Sequence, residues 1–192
     1  MLKVLYVFCF YCCLVYSQQP DLEEITQWAE KQNSAENPPE FVSLEWFNDV
    51  KKDNLQNVLN EAQNGSFSAI RTLIFVYNGW VEDSDILPDS IQAKLWLEEG
   101  VKKEEPFSLF LQATSFEKEN DNSNYIKYLK LSADKGYVVA QRFLANFYAS
   151  QDPLTSEDLN NAIKYYFLAS KQGDEESISE LGYALDKLVD IN

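Results

Sequence analysis

Apolar residues recur along most of the chain at the i, i+3, i+4 spacing of an amphipathic helix, and single glycines interrupt this pattern. After Gly136 the apolar stripe restarts with Ala140, Phe143, Leu144 and Phe147. A glycine just past a helix end can adopt the left-handed conformation that closes the last turn without a Cβ clash. The pattern therefore predicts that one helix ends at Gly136 and that another begins directly after it.

The same helix-glycine-helix pattern recurs along the chain with a nearly constant period. Glycines follow helical patterns at separations of 35, 36 and 37 residues. Self-similarity at this period is the signature of stacked helical hairpins, although the second repeat fits only with about four extra residues. We therefore predict an all-α protein in which residues 54–192 form an α-solenoid of antiparallel helix pairs. The repeated glycines are Gly65, Gly100, Gly136 and Gly173.

The first 17 residues have the pattern of a secretory signal peptide. Lys3 precedes an apolar run, and Val15 and Ser17 occupy the −3 and −1 positions of a cleavage site. An uncleaved anchor is the alternative interpretation. Because all three cysteines lie within residues 1–17, the mature chain would have no thiol and no disulfide. We therefore expect a periplasmic or secreted protein.

Residues 18–53 contain amphipathic segments that fit the repeat poorly. A helical array needs a terminal element that covers the apolar face of its end repeat. We therefore predict that residues 18–53 form an N-terminal helical cap.

The chain is strongly acidic, with 31 Asp and Glu residues, 16 Lys and Arg residues and a formal net charge of −15. This charge argues against binding to nucleic acid, whose phosphates require clustered cations. It also argues against binding to anionic membranes once the signal peptide is removed. We expect a protein partner instead. The negative charge either serves solubility alone or steers the chain toward a basic effector or enzyme.

The mature sequence lacks the residue types of common catalytic and metal sites. It has no histidine and would have no cysteine, which excludes thiol catalysis, Ser-His-Asp relays and the usual zinc ligand sets. No glycine-rich phosphate loop is present. Asp83, Asp85 and Asp89 lack the accompanying glycine and glutamate of a calcium loop, so we interpret them as a solvated, helix-capping run. We expect no cofactor, no metal and no enzymatic activity.

Small residues, Leu144 and tyrosines recur in a fixed order at Ala140, Leu144, Ala145, Tyr148, Ala162, Tyr165, Tyr166, Ala169 and Gly173. With this pattern, residues 125–185 resemble the Sel-one-like repeat (SLR), a tetratricopeptide-related helical repeat. Tetratricopeptide repeats themselves are the structural alternative. The resemblance implies a protein-binding scaffold, either an immunity protein that neutralises a toxic effector in the periplasm or an adaptor in signalling, secretion or host interaction. A secreted hydrolase is a further alternative, but the β-lactamase-like members of the family are rich in disulfides.

Two arginines occupy equivalent positions in the predicted repeats. Arg71 and Arg142 each lie two residues after the small residue that opens a first helix, and Phe110 has this place in the second repeat. Because first helices line the partner-binding face of helical solenoids, these residues are candidate contacts. Alternatively, each arginine packs along the neighbouring helix and pairs with an acid.

Further candidates follow from the same register. Phe75, Asn146 and Tyr183 lie four residues further along it, and Trp80 lies in a predicted loop where we expect it to be exposed. The complete set of predicted partner-binding residues is Arg71, Phe75, Trp80, Phe110, Arg142, Asn146 and Tyr183.

Overall fold

The computed structural model describes Ile25, residues 50–81 and residues 84–191. The two described ranges contain eight α-helices and no β-strand, and neighbouring helices pack against each other as in an α-solenoid. The all-α, α-solenoid fold class is therefore confirmed. The helices are α1 (Leu55–Gln63), α2 (Phe67–Tyr77), α3 (Ser90–Lys102), α4 (Pro106–Lys118), α5 (Asn122–Asp134), α6 (Val138–Ala149), α7 (Ser156–Ser170) and α8 (Glu175–Ile191).

The chain divides into two compact units. In the described part of the chain, the first unit consists of residues 50–144 and includes helices α1 to α5 and the start of α6. The second unit includes residues 145–191, with the end of α6, α7 and α8, and also Ile25, which is buried. The predicted signal peptide and nearly all of the predicted cap lie outside the described residues, so both stay predictions.

Three of the predicted left-handed corners are confirmed. Gly65, Gly136 and Gly173 have φ angles of 93°, 91° and 88°. A β-carbon is strained in this region of φ, which explains why glycine occupies these positions. Gly136 thus joins α5 to α6, as the interrupted apolar stripe predicted.

The prediction for Gly100 is wrong, because this glycine lies inside α3 rather than past its end. A Cβ atom at Gly100 would lie 2.0 Å from Oγ of Ser108, so the missing side chain permits close packing of α3 on α4. The left-handed residue is Glu104, with a φ angle of 56°. It follows Gly100 by about one helical turn of 3.6 residues, which accounts for the extra length of the second repeat.

Side chains cap the helices at positions that the sequence marks. Thr155 and Asp158 form a capping box at the start of α7. Asp89 accepts hydrogen bonds from the N–H groups of Ile91 and Gln92 at the start of α3. The interpretation of Asp89 as a capping acid is therefore confirmed, whereas Asp83 lies outside the described residues.

Small residues in the described helices allow close helix packing. Ala62, Ala133 and Ser170, each three residues before a repeated glycine, are buried. Such small residues let neighbouring backbones approach closely. No helix in residues 50–81 and 84–191 combines the length and the apolar character needed to cross a bilayer.

Candidate functional site

Arg71 on α2 forms an ion pair with Glu105, which directly precedes α4. Its Nη2 atom donates to Oε1 of Glu105 at 2.6 Å, and its Nε atom donates to the same oxygen at 3.2 Å. The Arg71 side chain is 30% exposed, whereas the Glu105 side chain is fully buried. Arg71 therefore makes the contact described by the alternative interpretation of the arginines, and its part in partner binding stays a prediction.

Glu105 is also the N-cap residue of α4. Its carboxylate accepts hydrogen bonds from the N–H groups of Phe107 at 3.1 Å and Ser108 at 2.6 Å, and from the Ser108 hydroxyl at 2.7 Å. A buried carboxylate is costly unless it is paired and hydrogen-bonded, and these donors and Arg71 meet that condition. Glu105 is not among the predicted site residues, although a carboxylate directly before Pro106 is a typical helix start.

A continuous row of aromatic rings lies beside this ion pair in the first unit. Neighbouring ring centroids are 5.0 to 5.9 Å apart, within the range of favourable tilted and edge-to-face contacts. The guanidinium carbon of Arg71 lies 5.6 Å from the centroid of Phe107 and 5.8 Å from that of Tyr137. In order of contact, this aromatic row consists of Trp80, Phe75, Phe107, Tyr137, Phe110 and Phe143.

Members of the aromatic row differ in exposure. Phe107 is buried, the other rings on the helices and corners are half-buried, and Trp80 is 50% exposed, as predicted for a loop tryptophan. Burial raises the pKa of the Tyr137 hydroxyl, an effect that Arg71 opposes and Glu105 reinforces. The aromatic row therefore has one ring in the core, Phe107, and apolar surface that is accessible to solvent.

The first unit brings five of the predicted partner-binding residues together. Phe107 and Tyr137 connect Phe75 to Phe110, and neither is among the predicted partner-binding residues. Arg142 is half-buried, with its guanidinium carbon 5.5 Å from the Phe143 ring centroid. The five predicted residues in or beside the aromatic row are Arg71, Phe75, Trp80, Phe110 and Arg142.

The other two predicted residues, Asn146 and Tyr183, line a groove of about 310 Å³ in the second unit. The buried Tyr166 hydroxyl donates a hydrogen bond to Oδ1 of Asn146 at 2.7 Å. Tyr183 is 59% exposed, and Nζ of Lys187 lies 4.6 Å from the centroid of its ring. We call this site the acidic groove, and the residues that characterise it are Asn146, Tyr166, Glu176, Glu180, Tyr183 and Lys187.

The electrostatics of the acidic groove act on Tyr166. Burial, together with the negative charges of Glu180 and Glu176, raises the pKa of the Tyr166 hydroxyl to about 12. The hydroxyl therefore keeps its proton at neutral pH and can donate a hydrogen bond to Asn146. The same negative potential favours a cation in the groove.

Both surfaces present groups that can make noncovalent contacts. In the described ranges, no group of three or more His, Cys, Asp or Glu side chains is placed so that it could hold a metal ion. The aromatic row offers apolar faces and a fixed guanidinium, and the acidic groove offers carboxylates, a hydroxyl and an aromatic face.

Comparisons with known proteins give a partial likeness. No family model matches the chain, and no solved structure matches it. The chain is 32% identical over 93 residues to the exopolysaccharide production negative regulator of Rhizobium meliloti (strain 1021), and 30% identical over 93 residues to the protein of the same name from Rhizobium leguminosarum bv. viciae. Each match covers 48% of this chain and 34% of the relative, so the chain spans about a third of the length of these regulators.

Proposed function

We propose that this chain binds a protein partner as a regulator or adaptor, and that the aromatic row of the first unit is its contact surface. The observation that carries the proposal is the continuity of the row from exposed Trp80 to half-buried Phe143 beside the guanidinium of Arg71. Tryptophan, tyrosine and arginine are the residues that most often dominate the binding energy of protein interfaces. Aromatic residues are also enriched at the cores of such interfaces.

Packing within the row supports this role, because it lowers the entropy that binding would cost. Each ring contacts a neighbouring ring, and Phe107 is anchored in the core. Glu105 holds the Arg71 guanidinium beside the rings through two hydrogen bonds. A surface whose side chains are already ordered loses less conformational freedom when a partner binds.

The net charge favours a basic partner, and the similarity to the two regulators favours a regulatory role. The formal net charge of −15 would accelerate the encounter with a basic protein, and salt would slow that encounter by screening. The two relatives bear the name of a negative regulator, which favours a restraining role over a catalytic one.

The more specific version of the proposal is an exported SLR-type protein, and an immunity protein if its partner is a toxic effector. The resemblance of residues 125–185 to Sel-one-like repeats and the signal-peptide pattern of residues 1–17 support this version. We also propose that the chain has no enzymatic activity, since its sequence contains no histidine and its cysteines lie in the first 17 residues.

Photocrosslinking tests the contact surface. A photoreactive phenylalanine analogue is placed at Trp80 or, as a control of equal exposure, at Leu95 on α3, since their relative exposures are 50% and 52%. Irradiation in cells of the source organism, followed by mass spectrometry, should yield one partner that is joined at Trp80 and not at Leu95. The Trp80→Ala variant should then bind the purified partner about tenfold or more weakly, mainly through a faster off-rate, while Leu95→Ala binds normally. Equal crosslinking at both positions, or unchanged affinity of Trp80→Ala, contradicts the proposal.

A further inference from the structure

We propose that the acidic groove of the second unit binds an arginine side chain of the protein partner. This inference rests on the proposed function, because it names the chemistry of the partner that the chain would recognise. It concerns a surface different from the aromatic row, and its test needs no partner.

The size and walls of the groove suit one long side chain. Its volume of about 310 Å³ lies at the lower end of ligand pockets. Leu159 and Ala184 in its lining are buried, as is the ring of Tyr166, whereas Tyr183 is 59% exposed. The groove thus offers apolar contacts for an aliphatic stem and polar groups for a charged head.

The carboxylates of the groove favour a cationic head. Glu176 and Glu180 are four residues apart on α8 and therefore lie on one face of the helix, where like charges repel. A cation beside Glu180 would reduce this repulsion. Their charges also reach the Tyr166 hydroxyl, since they contribute to its raised pKa. Within the part of the chain that the structure describes, Glu180 forms no ion pair.

Lys187 marks where the cation would lie. Its ammonium lies 4.6 Å from the ring centroid of Tyr183, the distance of a cation–π contact. The groove therefore already accommodates a cation from its own chain on this face. An arriving guanidinium would compete with that ammonium for Tyr183 and would also pair with Glu180.

Arginine fits these groups better than lysine does. A guanidinium is planar, stacks on aromatic rings and presents a fixed set of five N–H donors, which suits a tyrosine face beside two carboxylates. Asn146 and Tyr166 add oxygen acceptors at the same groove. An ammonium ion would satisfy fewer of these groups at the same time.

The test is an NMR titration of the ¹⁵N-labelled full chain with the peptide acetyl-Gly-Gly-Arg-Gly-Gly-amide. Saturable shifts are expected at the amides of Glu180 and Tyr183. Citrulline is the neutral isostere of arginine, so the peptide with citrulline should produce no saturable shifts there, and the peptide with lysine should bind more weakly than the arginine peptide. Equal binding of the citrulline or the lysine peptide overturns the proposal.

Two variants should change the affinity in opposite directions. Glu180→Gln should weaken binding of the arginine peptide by about two- to fivefold, the value of one partly exposed ion pair, and Lys187→Met should strengthen it by removing the competing cation. The matched control is Glu157→Gln, which removes an exposed charge from the first turn of α7. A loss for Glu157→Gln as large as that for Glu180→Gln, or a weaker affinity of Lys187→Met, contradicts the assignment.

The crosslinking experiment and the peptide titration test different surfaces, so their negative results can be distinguished. A partner that is crosslinked at Trp80 while the arginine peptide does not bind overturns the groove assignment and leaves the proposed function intact. Binding of the arginine peptide without any crosslinked partner at Trp80 supports the groove as a guanidinium site and contradicts the contact surface proposed in the first unit.

Discussion

In both units a buried acidic residue directly precedes a helix, and the two acidic residues differ in their partners. Glu105 and Asp174 each follow a left-handed corner residue by one position, and each is buried. Each also accepts a hydrogen bond from a serine hydroxyl three residues later, from Ser108 at 2.7 Å and from Ser177 at 3.4 Å. In the first unit Arg71 joins this arrangement as an ion-pair partner of Glu105.

This difference separates two ways of preparing a surface for binding. In the first unit the ion pair between partly exposed Arg71 and buried Glu105 lies beside the aromatic row and holds the guanidinium there. In the second unit the hydrogen bond between Tyr166 and Asn146 is neutral and partly buried, and the carboxylates lie on the groove itself. The first unit therefore uses its charges for rigidity, whereas the second presents its charges to a ligand.

Loss of the Glu105 carboxylate should have the largest effect on stability. Glu105→Ala removes the partner of Arg71 and leaves the N–H groups at the start of α4 without their cap. Breaking this partly exposed ion pair should cost about 2–3 kcal/mol, and loss of the helix cap should add about 1 kcal/mol, so the free energy of unfolding should fall by about 3–4 kcal/mol. Chemical denaturation measures this loss.

The neighbouring glutamate provides the matched control for that variant. Glu104 pairs with Lys135 on the surface, and their side chains are 57% and 45% exposed. Because exposed ion pairs contribute little, Glu104→Ala should cost less than about 1 kcal/mol. Similar losses for both variants would show that burial of the carboxylate does not matter.

Replacement of Arg71 should have the next largest effect, and it separates the two interpretations of this arginine. Arg71→Ala leaves the buried charge of Glu105 without its cation, so the free energy of unfolding should fall by about 2–3 kcal/mol, less than for a fully buried pair because Arg71 is partly exposed. Denaturation and partner affinity are measured on the same preparation. A normal free energy of unfolding with a large loss of affinity would identify Arg71 as a binding anchor alone.

The fold was predictable because its signals are local and repeated. The apolar period and the glycines at the corners are visible in single stretches of sequence, and the left-handed φ angles of Gly65, Gly136 and Gly173 confirm them. Gly100 was misassigned because a local pattern cannot distinguish a glycine required by φ from one required by close packing. Only the position of Ser108 on the next helix reveals the second reason.

The candidate site was predictable in part. The register identified residues on first helices, and the structure places Phe75 and Phe110 in one aromatic row. The repeat register could not identify Glu105, because the sequence marks a helix cap but does not indicate burial or a contact with Arg71 on α2. It also could not identify the role of Phe107, since a ring in the core can support a surface as well as fill a volume.

The smallest expected effect concerns the neutral contact of the second unit, and it depends on pH. At neutral pH, Tyr166→Phe loses one hydrogen bond to Asn146, which is exposed and can bind water instead, so the cost should not exceed about 1 kcal/mol.

The pKa of Tyr166 is about 12 in the folded chain and near 10 when unfolded, so the native state keeps a proton that the unfolded state releases between these values. Its stabilising contribution is complete below pH 10 and is lost as pH rises through 12. The wild type should therefore lose stability relative to Tyr166→Phe over this interval, with a slope of up to about 1.4 kcal/mol per pH unit. Tyrosines with raised pKa values elsewhere, such as Tyr137, are present in both proteins and cancel in the difference. Urea denaturation followed by tryptophan fluorescence at several values between pH 8 and 11.5 measures it, with exposed Tyr183→Phe as the control, and parallel profiles for wild type and Tyr166→Phe would contradict the electrostatic account of the acidic groove.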